Sequence, residues 1–224
     1  MSEILFNFLN PAIVKAYWPA LLEGLWVTAM LAFAVVCSGL AAGLALTCLR
    51  SLRILPVNFV IVALVDILRA LPPLVVIIVV YFGLPFAGIR MSGFAASWLV
   101  LAAILAAFSE ELFWAGVQAV PRGQWEAARA SGLSFGQTMA CVILPQALRM
   151  TVPPLTSRVI ATIKNTALAS TVAVPELLAR ASSALSESGN TTPLTMAAVG
   201  YLLILYPLVY YSRRLERRYA WKNK

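Results

Sequence analysis

From Gly24 to Leu49 the chain carries no charged residue, and Arg50 and Arg53 close the run. A helix needs about 20 mainly apolar residues to cross the hydrocarbon of a bilayer. This stretch is long enough by itself, and the rest of the chain must fold in its company. Four further spans are expected: Pro56 to Phe82, holding Asp66, Arg69 and Pro72–Pro73; Gly93 to Val120, holding Glu110 and Glu111; Pro145 to Val172, holding Arg149, Arg158 and Lys164; and the uncharged Pro193 to Tyr211. The composition agrees. The chain is 61% hydrophobic and 12% charged, against about half and about a quarter in soluble domains. The expected fold class is all-α and integral to the membrane, with about five transmembrane helices.

Basic residues set the orientation. Arg50 and Arg53 lie between spans one and two, and Arg122, Arg129 and Arg149 between three and four. Arg213, Arg214, Arg217, Arg218, Lys222 and Lys224 form the tail, while the opposite loops hold Lys15, Arg90 and Arg180. Cytoplasmic segments are the Lys- and Arg-rich ones, so the amino terminus is expected outside and the carboxyl terminus in the cytoplasm. A hydrophobic run directly precedes the basic tail, which points it to the membrane surface rather than to nucleic acid. Met1 to Trp18 lacks the basic start and apolar stretch of a cleavable signal, so the first hydrophobic segment is expected to stay as an anchor.

Absences narrow the chemistry. There is no histidine, which excludes His-ligated metal sites and His-dependent acid–base catalysis. Cys37, Cys48 and Cys141 are odd in number and far apart, so they read as small buried residues rather than a disulfide framework or a CxxC pair. None of Lys15, Lys164, Lys222 and Lys224 follows a glycine, so the chain has no P-loop to cradle a nucleotide phosphate. With no internal repeat or low-complexity linker, residues 1–224 read as a single transmembrane domain.

The segment from about 121 to 145 is too polar in its first half to cross lipid. Glu126, Ala127, Ala128 and Ala130 favour a helix. Gly132 and Ser134 interrupt it, and a second short helix leads to Leu144 and Pro145. This predicts a helix–turn–helix at the cytoplasmic face. Its residues resemble the signature loop of ABC importer permeases: Glu126-Ala127-Ala128, three residues, Gly132, nine residues, Val142 in the place of the usual isoleucine, one residue, then Leu144-Pro145. Arg69-Ala70-Leu71-Pro72, Tyr81 to Pro85, Val120 to Gln124, Lys164 to Ser170 and Val174 to Leu178 are similar to elements of the polar amino acid permeases, the histidine, glutamine, arginine and opine group. Ala70-Leu71 stand where that group has Gly-Thr, and Trp114 where arginine commonly follows the acidic residue matched by Glu111.

The resemblance implies the type I ABC importer permease fold, in a bacterial inner membrane. It implies a transmembrane subunit that forms the translocation path for a polar amino acid or a related compound and couples it to separate ATP-binding cassette subunits. Those subunits would bind ATP and Mg and hydrolyse ATP, with no cofactor in this chain. A second permease chain, identical or not, and an external solute-binding protein would complete the assembly. Glu126, Ala127, Ala128, Gly132, Leu144 and Pro145 would then dock on the ATPase: the alanines permit close approach, Gly132 a tight turn, and Glu126 an acceptor for helix-end amides or a basic partner. The rival reading is a secondary transporter of small polar solutes driven by an ion gradient, which has no need of such a loop.

Ionisable residues inside spans are costly and point to function. Asp66 and Arg69 share a helix face and can pair, bracing a gate, or Arg69 can meet a substrate carboxylate. Pro72-Pro73 should interrupt the helix beside them. Glu110 and Glu111 lie about 25 Å into span three, either as a solvated end or in a gating or amine-binding role. Lys164, Asn165 and Thr166 offer donors for a carboxylate, with snorkelling of Lys164 to the outer surface as the other reading.

Overall fold

Each expected span is reached by a helix, and prolines set several of the helix ends. The computed structural model describes residues 2–220, with side chains at all but Ser2, Leu5 and 216–220. Lys222 and Lys224 of the basic tail, and the side chains of Arg217 and Arg218, lie outside the described residues. A short α1 (Ser2–Phe8) precedes α2 (Pro11–Ser51), which opens on a proline whose missing N–H is unpaired in any first turn. Helix α3 (Leu55–Ala70) stops before Leu71 and Pro72, because a residue ahead of proline is driven out of helical geometry. Pro72 is extended, and α4 (Pro73–Ile78) restarts on Pro73 before running into a π turn (Val79–Gly83) and a 3-10 turn (Leu84–Ala87).

Then come α5 (Gly93–Ala119), α6 (Arg122–Ala130), α7 (Phe135–Thr138), a second π turn (Met139–Ile143) and α8 (Leu144–Asn165). A 3-10 segment (Thr166–Val172), α9 (Leu177–Ser188) and α10 (Thr192–Ala220) complete the order. The described residues contain no strand, as the all-α expectation requires.

The span count differs in detail. Among the described residues three helical stretches are long and apolar enough to cross a bilayer, Phe6–Ser51, Gly93–Ala119 and Thr192–Leu215, and α3 counted with Pro73–Ala87 across the proline break makes a fourth. The expected fourth span is the exception. Its helix, α8, has 22 residues, long enough at about 1.5 Å per residue, but Arg149, Arg158 and Lys164 take it out of the apolar class. It also ends at Asn165 rather than Val172, where the backbone tightens to 3-10 and Ala173 turns left-handed at φ 58°.

Contacts gather the chain into two units. The first takes the amino-terminal part to Cys37, Leu71–Ala102 and Ile160–Val209; the second takes Ser38–Ala70, Ala103–Val159 and the chain from Tyr210 onward. The first unit is built on Leu21, Leu177, Ala181 and Ala197, with Tyr17, Leu25, Leu194 and Tyr201 against them. Its start is tied down where Asn10 N–H donates to Thr192 Oγ1 (3.0 Å) and Asn190 Nδ2 to Phe6 O (2.9 Å).

Two apolar centres lie in the second unit. One joins Val117, Val120, Met139, Ile143 and Ala147; the other joins Ile61, Val65 and Ala107. Here α2 and α5 meet backbone to backbone: a Cβ on Gly43 would stand 2.7 Å from Ser109 Cβ and 2.8 Å from Ala106 O. Thr47 Oγ1, one turn on, reaches both Gly43 O (3.0 Å) and the main-chain oxygen of Glu110 (3.3 Å).

Candidate functional site

Charge in the second unit is concentrated around one open cavity of about 340 Å³, lined by Arg50, Asp66, Arg69, Glu110, Glu111, Trp114 and Gln118, among others. Glu110 is fully buried and takes both hydrogen bonds from Arg50 Nη1, at 2.9 and 3.2 Å. The Arg50 guanidinium also lies 4.6 Å from the centre of the Trp114 ring. A solvated end is therefore wrong for Glu110: it sits in the most buried of the three apolar stretches and needs the cation that Arg50 supplies.

Arg69 holds Glu111 tightly, Nη2 to Oε2 at 2.7 Å, and Asp66 loosely, Nη1 to Oδ1 at 3.7 Å. The expected pairing of Asp66 with Arg69 is thus the weaker of two, and Glu111 is the stronger partner. Phe108 carries two guanidinium groups on its ring, that of Arg69 at 5.4 Å and that of Arg158 at 3.8 Å.

The helix–turn–helix is present. Gly132 closes it at φ 84°, in the left-handed region, and a Cβ there would meet nothing within 4 Å. The constraint is therefore conformational, not steric crowding. Arg129 Nη1 donates to Leu133 O across the turn (2.9 Å). Ser134 caps α7 reciprocally with Gln137, and Trp125 stacks on Phe135 with centroids 5.9 Å apart. Glu126 and Ala127 are exposed, whereas Ala128 is buried. Leu144 packs on the apolar centre around Ile143, and Pro145 opens α8 exposed.

In the first unit, Lys164 is exposed and Asn165 half-buried. Thr166 is buried, and its hydroxyl donates to Ile163 O at 2.7 Å. The expected three-residue donor set is reduced accordingly, since the Thr166 proton is held within its own helix end.

Sequence reasoning missed three things. Arg50 reads as one more cytoplasmic loop arginine, yet it reaches a glutamate sixty positions on. Phe108 is not singled out at all. Glu176, noted only as part of a motif, is a fully buried helix cap: its carboxylate accepts the N–H groups of Leu178 (2.9 Å) and Ala179 (2.7 Å) and the hydroxyl of Tyr201 (2.8 Å). A buried glutamate within a long apolar helix demands a cation, and that was the available signal for Arg50. Nothing local in the sequence announces the other two.

Comparison with known proteins gives consistent results. The family model described as binding-protein-dependent transport system inner membrane component matches residues 39–221. The glutamine transport system permease protein GlnP of Escherichia coli (strain K12) is 32% identical over 210 residues, covering 91% of this chain and 96% of its own. In a crystal structure of an amino acid ABC transporter with histidines, one chain matches with a TM-score of 0.82 and 30% identity, over 92% of this chain and 96% of that one. A chain of the inward-facing MetNI methionine ABC transporter gives a TM-score of 0.69 at 22% identity, over 94% and 99% of the two chains. That last likeness concerns the fold alone.

Proposed function

Because this chain belongs to the inner membrane components of binding-protein-dependent transport systems and is an ABC transporter permease, we propose that it carries polar amino acids inward across a bacterial inner membrane. Partner ATP-binding cassette subunits supply the hydrolysis, binding ATP and Mg themselves. A second permease chain and an external solute-binding protein complete the assembly. An ion-gradient-driven carrier is not favoured, since the matched relatives are ABC transport components.

In this reading the amino terminus is outside and the 121–145 segment cytoplasmic. Glu126, Ala127, Ala128 and Gly132 meet the ATPase, and Leu144-Pro145 pass its motion into α8. Asp66, Arg69, Glu110 and Glu111 form a gate whose ion pairs rearrange as the path opens. Lys164 and Asn165 attract the substrate carboxylate at the outer end.

The observation that carries the reading is the signature turn: its residues stand in register, and the glycine in that register adopts the left-handed conformation that a tight, rigid protrusion needs. The test is reconstitution with its partner ATP-binding cassette ATPase and solute-binding protein, followed by uptake of L-glutamine, L-arginine and L-histidine. ATP-dependent uptake is expected; uptake driven by an ion gradient alone would overturn the assignment. Gly132→Leu should reduce ATPase co-purification and uptake about fivefold, because a left-handed β-carbon costs about 1–2 kcal/mol. Gly132→Asn, which tolerates that conformation, should lose less. Wild-type coupling in Gly132→Leu would remove the loop from the mechanism.

A further inference from the structure

Phe108 seats two guanidinium groups that differ in their company. That of Arg69 is neutralised by Glu111 and, more loosely, by Asp66. That of Arg158, the nearer to the ring, has no ion pair among the described residues. Arg158 lies about 21 Å along α8 and is exposed. A cation at depth in a membrane helix does not face lipid; it faces water or a partner. The ring offsets part of the desolvation cost and fixes where the planar fork lies.

Asp66 is the opposite case. Its side chain is 64% exposed, and its cation among the described residues, 3.7 Å away, is held more closely by Glu111. Within this unit the Arg50–Glu110 and Arg69–Glu111 pairs therefore close on themselves. Of the charges linked through the Arg69–Phe108 contact, Arg158 and Asp66 are the two left without a close partner of their own.

An α-amino acid in a poorly hydrated path needs just these two. Its carboxylate is matched by a guanidinium fork, which can donate two parallel N–H bonds. Its ammonium is matched by a carboxylate. We propose that Arg158, seated on Phe108, receives the substrate's α-carboxylate during translocation and that Asp66 receives its α-ammonium. The proposal rests on the amino-acid importer reading. Because both groups address main-chain atoms, the site selects α-amino acids as a class and leaves the substrate's side chain unread. Phe108 is a positioning residue that acts through Arg158.

The test uses the purified permease–ATPase complex without binding protein. L-glutamine, L-arginine and L-histidine are each titrated beside the corresponding α-carboxamide and the des-amino acid. The wild type should bind the amino acid at least tenfold more tightly than either analogue. Arg158→Gln should erase the preference for acid over carboxamide while keeping the preference for the ammonium, and Asp66→Asn should do the reverse. Arg158→Lys should recover part of the acid preference, and Phe108→Leu should weaken it severalfold. These ratios do not depend on how much of a variant folds. An undiminished acid-over-carboxamide ratio in Arg158→Gln overturns the proposal while leaving the importer reading intact. A wild-type complex that neither binds these amino acids nor carries them with ATP and binding protein brings down both.

Discussion

Two carboxylates, Glu110 and Glu176, are equally buried, at 0% exposure, and they are satisfied in opposite ways. Glu110 depends on one long side chain, that of Arg50. Among the described residues Glu176 pairs with no cation: its oxygens accept two main-chain N–H groups at the start of α9, the Tyr201 hydroxyl and, at 3.5 Å, the Thr28 hydroxyl. Burial pushes the Glu176 carboxyl above the usual carboxylate range, and these donors pull it partly back. A cap made of backbone is a fixed joint, since moving it means unwinding the helix it starts. An arginine can swing to another acceptor by rotating its own side chain. The two units thus use the same residue type for different ends, rigidity in the first and exchangeable contact in the second.

The sharpest way to break that contrast is Arg50→Met. It strands Glu110 without a cation and should destabilise the complex by about 3–5 kcal/mol, read as the thermal midpoint of the purified complex. Adding Glu110→Gln should restore most of the loss, because the charge goes with its partner. A single variant as stable as wild type would mean that the ion pair holds nothing together.

Glu176→Ala should cost less, about 2 kcal/mol, since it leaves neutral donors rather than a charge unmatched. No second deletion of a charged group should rescue it. If one does, the two carboxylates are not different in kind.

Glu176→Gln is the smallest change, expected within about 1 kcal/mol because an amide oxygen still accepts. Its pH dependence carries the information. The folded carboxyl is raised, so the folded state holds its proton when the unfolded state has lost it. The stability this group contributes is complete below the ordinary carboxylate value of about 4.3 and is lost as pH rises through the raised one. The glutamine variant should therefore gain on wild type as pH rises from that range towards neutrality. A gap that stays constant across those pH values would show the carboxyl to be unperturbed.

What the sequence made legible was whatever is local. Hydropathy located α2, α5 and α10; Pro72–Pro73 marked the break after α3; and the spacing from Glu126 to Pro145 located a turn whose glycine is indeed left-handed. Pairings across the fold were illegible. Arg50 and Glu110 lie sixty residues apart, and each has a sufficient local explanation, one as a loop cation and the other as a helix end. Glu176 caps α9 and Tyr201 lies in α10, with nothing periodic to link them. The charges in α8 blurred its reading for a related reason: Arg158 makes sense only beside Phe108, which belongs to another helix.

The π turn at Met139–Ile143 gives the signature spacing a meaning in angle rather than in length. Each residue of an α-helix turns the chain by about 100°, so losing one residue from α8's first turns would swing the rest of that helix by that amount. A π turn holds one residue beyond the α count. Losing one there lets the turn relax to α geometry while everything beyond keeps its facing. The π turn therefore acts as a slack point between Gly132 and α8, where a one-residue deletion keeps the facing of α8, whereas the same deletion further along the helix would turn everything beyond it by about 100°.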